Sequence, residues 1–286
     1  MLILLLSIAC SVAVSVFLKL ARQHAIHVDQ AIAVNYLTAS TLCLVLLRPN
    51  LQSIPDNTAT AWWILGLLGV LLPTVFLIRA GAVRQAGIVL SDTAQRLSLI
   101  IPLLAAFLVF GEVFSHSKLV GIGVALLALI CLLNKPRSAQ GSPTGTGLSS
   151  LLLLLGVWIG YGTIDILFKH LAKSGAAFSS SLLLSFVLAA VLMFVWLACR
   201  KATIWSPRSL LSGLLLGLLN FGNIYFYIRA HQAYPDNPTL VFSAMNIGVI
   251  SLGTLVGAGV FRERLGRINI LGIALALAAI VLLLPR

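Results

Sequence analysis

Charge is what this sequence has least of. Only 9% of its 286 residues are Asp, Glu, Lys or Arg, and 7 of those are acidic. Soluble domains carry about 25% charged residues. So few charges cannot cover a water-facing surface, and a soluble globular fold is excluded. The acids are too scattered to form a metal-binding cluster, and no HExxH, P-loop or GxSxG stretch is present. An enzyme is therefore not expected, nor is a metal or cofactor. Cysteine is scarce too: Cys10, Cys43, Cys131 and Cys199 all lie in apolar segments without a CxxC pair and read as small hydrophobes. No basic stretch precedes the first apolar run, and no leucine stands three before Cys10. The first run is expected to be retained rather than cleaved.

Apolar length is what the chain does have. Hydrophobic residues make up 60% of it, and the mean hydropathy is +1.07. Ten runs of spanning length fall at about 2–21, 30–47, 61–79, 86–110, 117–133, 149–170, 177–198, 208–229, 238–260 and 267–284. Backbone groups in hydrocarbon need partners within their own segment, so these runs are expected to be transmembrane helices. The alternation of barrel strands is absent. Trp62, Trp63, Trp196 and Trp205 stand at run boundaries, as interfacial tryptophans do. Asp236-Asn237-Pro238 reads as a helix start, with Asn237 as cap and Pro238 in the first position.

The net charge of +12 sits as single, double or triple cations between apolar runs, which excludes a nucleic-acid interface. Its distribution instead gives a sidedness. With both termini outside, twelve Lys and Arg residues face the cytoplasm and six face out.

A polar stretch at 134–148 separates two repeats of five runs each, 1–133 and 149–286. FLIRAGAV (76–83) matches FYIRAHQA (226–233), which sets Arg79 opposite Arg229. Lys19 falls opposite Lys169, Glu112 opposite Glu263 and Gly121 opposite Gly272. Five is odd, so consecutive copies insert in opposite orientations, as an inverted-topology repeat. The expected fold is an all-α integral membrane protein of ten transmembrane helices in two inverted five-helix repeats.

The segments 100–133 and 250–284 carry Pro102, Gly111-Glu112 and Gly121 in one copy and Glu263 and Gly272 in the other. Gly253 stands near the place of Pro102, and Arg262 replaces the first glycine. These segments resemble the EamA-type halves of the drug/metabolite transporter superfamily. The resemblance implies a secondary transporter with a cavity between its halves, working by alternating access. Its partners would be a small-molecule substrate and the surrounding lipid, with proton coupling as an option. The expected cargo is a small polar or amphipathic, amino-acid-like metabolite moved outward, and the expected location a multi-pass site in a bacterial inner membrane. A flippase for a lipid-linked sugar and a membrane-embedded lipid-modifying enzyme are the rival readings.

Polar residues inside the runs are the candidate site. Arg96 lies roughly 15 Å into the fourth run, where a charge costs about 2.5–3.5 kcal/mol on insertion scales. Asp92, one turn earlier, partly neutralises it. The pair either serves a cavity or locks two helices together. Gln95 and Arg96 align with Met245 and Asn246. Asn220 and Asn223 form a second polar stripe, with Asn223 opposite Pro73. Each Asn either lines the cavity or makes a helix–helix hydrogen bond worth about 0.6 kcal/mol. Asp165, with Tyr161 one turn before it, either carries a proton or pairs with Lys169; the pair is favoured. Pro102 and Pro73 are candidate gating positions, Pro102 because it leaves the Ser98 carbonyl without its helical donor. Lys19, Lys169, Arg79 and Arg229, near run ends, are expected to snorkel. Glu112 and Glu263 are expected to cap turns or form ion pairs.

Overall fold

The computed structural model describes residues 1–23, 26–49, 62–85, 88–112, 115–133, 148–173, 178–200, 205–261 and 266–283. Side chains are described for all of these except 18–19, 21–23, 83–84, 88–90, 92–93, 261 and 269. The 134–147 part of the linker, Arg262 and Glu263 lie outside the described residues, as do the Asp92 and Lys19 side chains.

Among the described residues every regular element is a helix: α1 (Leu2–Gln23), α2 (Val28–Leu42, continued by a π-helical turn, Cys43–Leu47), α3 (Trp62–Gln85), α4 (Ile88–Leu97), α5 (Ile100–Leu108), α6 (His116–Leu133), α7 (Leu148–Lys173), α8 (Phe178–Cys199), α9 (Pro207–Ala233), α10 (Pro238–Phe261) and α11 (Arg267–Leu283). Among the described residues six stretches are long and apolar enough to cross a membrane, in α2 with its π turn, α3, α7, α8, α9 and α10. Four shorter apolar stretches, Leu2–Phe17, Ala94–Leu108, His116–Cys131 and Ile270–Leu283, accompany them. The outside of the bundle is apolar: Leu108 is 83% exposed, Val260 68% and Ile130 62%. Water would penalise such a surface and hydrocarbon accepts it. The chain is a membrane protein with transmembrane helices.

The fourth run is not one helix. It breaks at Ser98-Leu99, between α4 and α5, with Pro102 buried in the first turn of α5. The Ser98 carbonyl, expected to lie open, accepts the Ile101 N–H at 3.0 Å. A tighter turn supplies the donor that proline removes. Trp158 on α7 donates its indole N–H to the neighbouring Leu97 carbonyl at 3.0 Å, which ties the break to α7. Pro73, by contrast, is carried inside a continuous α3.

Helices from the two sequence halves interleave. α3 packs on α7 and α8, α9 packs on α1 and α2, and α6 packs on α11. The main core holds Tyr36, Leu68, Phe186 and Phe242, and a smaller one joins α6, α10 and α11 through Ala125, Ala128, Ile247 and Ala276. Glycines set the closest approaches. A β-carbon at Gly217 of α9 would sit 2.8 Å from the Asn35 carbonyl oxygen of α2, and one at Gly213 would sit 2.7 Å from that of Ala31. Two small residues one turn apart let backbones meet this way.

Contacts gather at two ends of the bundle. At one, the Met1 amino group donates to Tyr234, Ser117 to the Leu282 carbonyl and the Cys43 thiol to the Ser179 carbonyl. At the other, Asp29 pairs with Arg200, the Ser206 N–H donates to Gln30, and Ser149 donates to Gln85. Trp62 and Trp63 are exposed, as are Trp196 and Trp205. The cysteines are free, and Cys199 is exposed at the end of α8 rather than enclosed.

Candidate functional site

The α7 face carrying Tyr161 and Asp165, one turn apart, gathers the polar groups of the interior. Asp165 is half-buried, lies within electrostatic reach of Arg96 on α4, and has the Tyr227 phenol of α9 beside it. Tyr161 is likewise close to Tyr36 of α2. Four helices thus contribute one cation, one carboxylate and three phenols. The Tyr227 hydroxyl is turned to the Asp165 carboxylate, whereas the Tyr36 hydroxyl is buried without a hydrogen-bond partner, as is Gln95 Oε1 one residue before Arg96. Asn35, next to Tyr36, has both amide atoms in the same condition. Buried polar groups are almost always satisfied, so a concentration of unsatisfied ones marks a place for water or ligand.

Sequence-expected residues divide around this centre. Arg96, Gln95, Tyr161 and Asp165 belong to it or adjoin it. Asn220, Asn223 and Tyr227 lie along one face of α9, at intervals of three and four. Asn220 is buried. Asn223 is occupied by α1: Ser7 donates to its carbonyl at 2.9 Å and lies 3.1 Å from its Oδ1, with Met245 Sδ of α10 at 3.5 Å. Asn246 turns back to its own helix and donates to the Phe242 carbonyl at 3.2 Å. Asp92 lies on α4, one turn before Arg96.

Lys169 departs from expectation. It neither pairs with Asp165 nor snorkels: it is 1% exposed and donates to the Pro235 carbonyl at 2.7 Å, with Glu112 and Asp236 as its neighbouring acids. The loop after α9 offers a backbone acceptor where the i+4 carboxylate was expected. Arg79 is half-buried, and Arg229 is exposed and bonds Gln232.

Glu112 does both: it pairs with Lys118 nearby and caps a helix start in the other half. Gly111, at φ 66°, takes the left-handed turn that swings the chain after α5. The Glu112 carboxylate then accepts the Thr239 N–H at 3.0 Å and hydroxyl at 2.6 Å, and meets Lys118 at 2.9 Å. Pro238 opens α10 as expected, while the cap on its first turn comes from Glu112. Glu112→Ala is expected to cost about 1–3 kcal/mol through the orphaned donors. Thermal unfolding in detergent would register this as a lower midpoint, with Glu112→Gln losing less.

Tyr36, Tyr227 and His231 were not expected. Tyr227 and His231 are one turn apart on α9, with ring centroids 4.8 Å apart, and could have been found by extending the Asn220–Asn223 stripe. Tyr36, inside an apolar run, carried no comparable signal.

No protein-family model matches the chain. A Haemophilus influenzae (strain ATCC 51907 / DSM 11121 / KW20 / Rd) protein, described as an uncharacterized protein, is 51% identical over 281 residues, covering 97% of this chain and 95% of its own. A solved structure described only as "Crystal structure of protein" matches with a TM-score of 0.70 and 14% identity, covering 98% of this chain and 94% of the other. At that identity the likeness concerns fold alone. The chain belongs to the family of the Haemophilus influenzae protein.

Proposed function

We propose that the protein is a secondary transporter that moves a small polar or amphipathic, amino-acid-like metabolite outward across the membrane by alternating access. The observation that carries this reading is the gathering of Arg96, Asp165, Tyr36 and Tyr227 from four helices inside the bundle, with the Tyr36 hydroxyl and the neighbouring Asn35 amide buried and unbonded. Charges inside a lipid-facing bundle are costly, and they persist where they serve a path or a partner.

The helix arrangement supports ten crossings, with α4 and α5 together forming one. Each helix then runs from one contact end of the bundle to the other. Exchanging each element for its counterpart in the other repeat turns the α9 pairings with α1 and α2 into the α3 pairings with α7 and α8. The α6–α11 pairing maps onto itself. That exchange is what two repeats related by a two-fold axis would give, and it supports reading them as an inverted repeat. Lys118, Lys173 and Arg229 gather at the end that charge bias assigns to the outside. Cysteines replacing His116 and Trp205, both exposed, test the sidedness in a cysteine-free background. His116→Cys is expected to react with a membrane-impermeant thiol reagent in intact cells and Trp205→Cys is not; the reverse pattern inverts the topology.

Proteoliposomes test the function. Loaded with a mixture of labelled amino acids and related metabolites, they are expected to release or exchange one solute chemically unchanged. Scrambling of a labelled lipid-linked sugar without solute movement would replace the proposal with a flippase. Chemical conversion of lipid would replace it with an enzyme.

A further inference from the structure

Beside the outward ends of α7 and α9 lies a cavity of about 590 Å³ that the central cluster does not use. Its rim carries Lys173 and Arg229, both exposed, and its wall includes Lys169 and His231, each 1% exposed. Three basic side chains, Lys169, Lys173 and Arg229, converge on it from the C-terminal ends of two helices. The acids nearby offset them only in part. Glu112 is already held by Lys118 and Thr239, and Asp236 is exposed on the loop.

Cations at helix C-termini also answer the helix dipole, and that role alone would leave them at the surface. Two observations point further. The Lys169 amine, 1% exposed where it lines the cavity, gives one N–H to the Pro235 carbonyl and lies 5.9 Å from the Phe110 ring centroid, which leaves donor capacity on the cavity side. His231 lines the cavity with both ring nitrogens buried and unbonded, its ring set between Tyr227 and Phe242 at 4.8 Å from each. An imidazole provides at least one N–H donor in either protonation state.

We propose that this cavity binds a phosphate group. Lys169 and His231 would meet its oxygens inside, and Lys173 and Arg229 would close over it from the rim. Point-charge ammonium groups suit phosphate, and a guanidinium adds a bidentate grip. The group can arrive on a free solute or as the headgroup of a phospholipid in the surrounding leaflet. The site stands whether or not the chain moves a solute.

Thermal unfolding of the purified full-length protein in detergent, in inorganic phosphate against chloride at equal ionic strength, tests the site. Phosphate is expected to raise the midpoint saturably. Arg229→Gln and Lys173→Gln, both rim positions that leave the buried packing intact, should each weaken the apparent affinity about tenfold. Arg208→Gln, at the opposite end, should leave it unchanged. Nanodiscs of phosphatidylcholine with and without phosphatidylglycerol separate the sources. A phosphatidylglycerol-dependent rise that the rim variants remove, and that phosphate no longer adds to, assigns the site to lipid. A phosphate response unaffected by phosphatidylglycerol assigns it to a solute. Midpoints indifferent to both, or a response that survives the combined Arg229→Gln and Lys173→Gln change, would overturn the proposal.

Discussion

Arg96→Gln is expected to cut transport in proteoliposomes by about ten- to a hundredfold, the scale of one or two charge-assisted hydrogen bonds lost from the transported complex. On the transport reading, Arg96 supplies the cationic contact for a carboxylate on the cargo, and Asp165 is the acid within reach to orient it. Arg96→Lys keeps the charge but loses the planar fork, so it should fall between the wild type and Gln. Asp165→Asn removes a carboxylate within reach of Arg96. Leaving a buried charge less compensated costs stability as well as function, by about 3–5 kcal/mol where the pair is fully enclosed. Asp165 is half-buried, so a smaller loss is expected. The double change Arg96→Gln with Asp165→Asn separates the two roles. Restored abundance without transport fits a substrate contact. Restored abundance together with restored transport would mean that the two residues only lock α4 to α7, and full activity of Arg96→Gln alone would remove the residue from the path.

Helix positions were legible because lipid enforces them: every stretch that must satisfy its own backbone shows as an apolar run. The break at Ser98-Leu99 was legible only in part: Pro102 marked the Ser98 carbonyl, but not the turn in which Ile101 satisfies it, nor Trp158, which holds the break from another helix. The same holds for Lys169 and Glu112. For Lys169 the near-sequence partner was the one that pattern could propose, whereas its bond reaches Pro235, 66 residues away. Glu112 keeps a near ion pair with Lys118, but the helix start it caps, at Thr239, lies 127 residues away. Of the central cluster, Arg96 and Asp165 announced themselves by the cost of burying charge. Tyr36 and Tyr227 did not, because a tyrosine in an apolar run costs little until its hydroxyl is placed. Long-range pairing decides which polar residues face one another, and it has no local period.

The largest structural effect is expected at a position with no side chain. Gly217→Leu should prevent the folded protein from accumulating. Gly213 and Gly217 lie one turn apart on α9, and at both the α2 backbone is within van der Waals distance of the missing β-carbon. At Gly217 that carbon would come 2.5 Å from Thr38 Cβ and 2.8 Å from the Asn35 carbonyl oxygen. A side-chain tip can swing aside, but a helix carbonyl cannot move without carrying its helix along. Even Gly217→Ala therefore has to push α2 from α9, at a cost of about 1–3 kcal/mol from overpacking, and leucine adds three more carbons to the same gap. The displacement would not stay local. Asn35 and Tyr36 sit on the α2 turn that Gly217 touches, and Tyr36 packs on Phe186 of α8 with ring centroids 6.4 Å apart. Separating α2 from α9 would thus pull one wall off the polar cluster. Gly66 and Gly123, whose added β-carbons would meet nothing within 4 Å, serve as controls. Size-exclusion profiles and thermal midpoints in detergent should rank Gly66→Ala and Gly123→Ala with the wild type, Gly217→Ala several degrees lower, and Gly217→Leu as aggregated or absent. A monodisperse Gly217→Leu protein with an unchanged midpoint would show that α2 and α9 are not held at this distance.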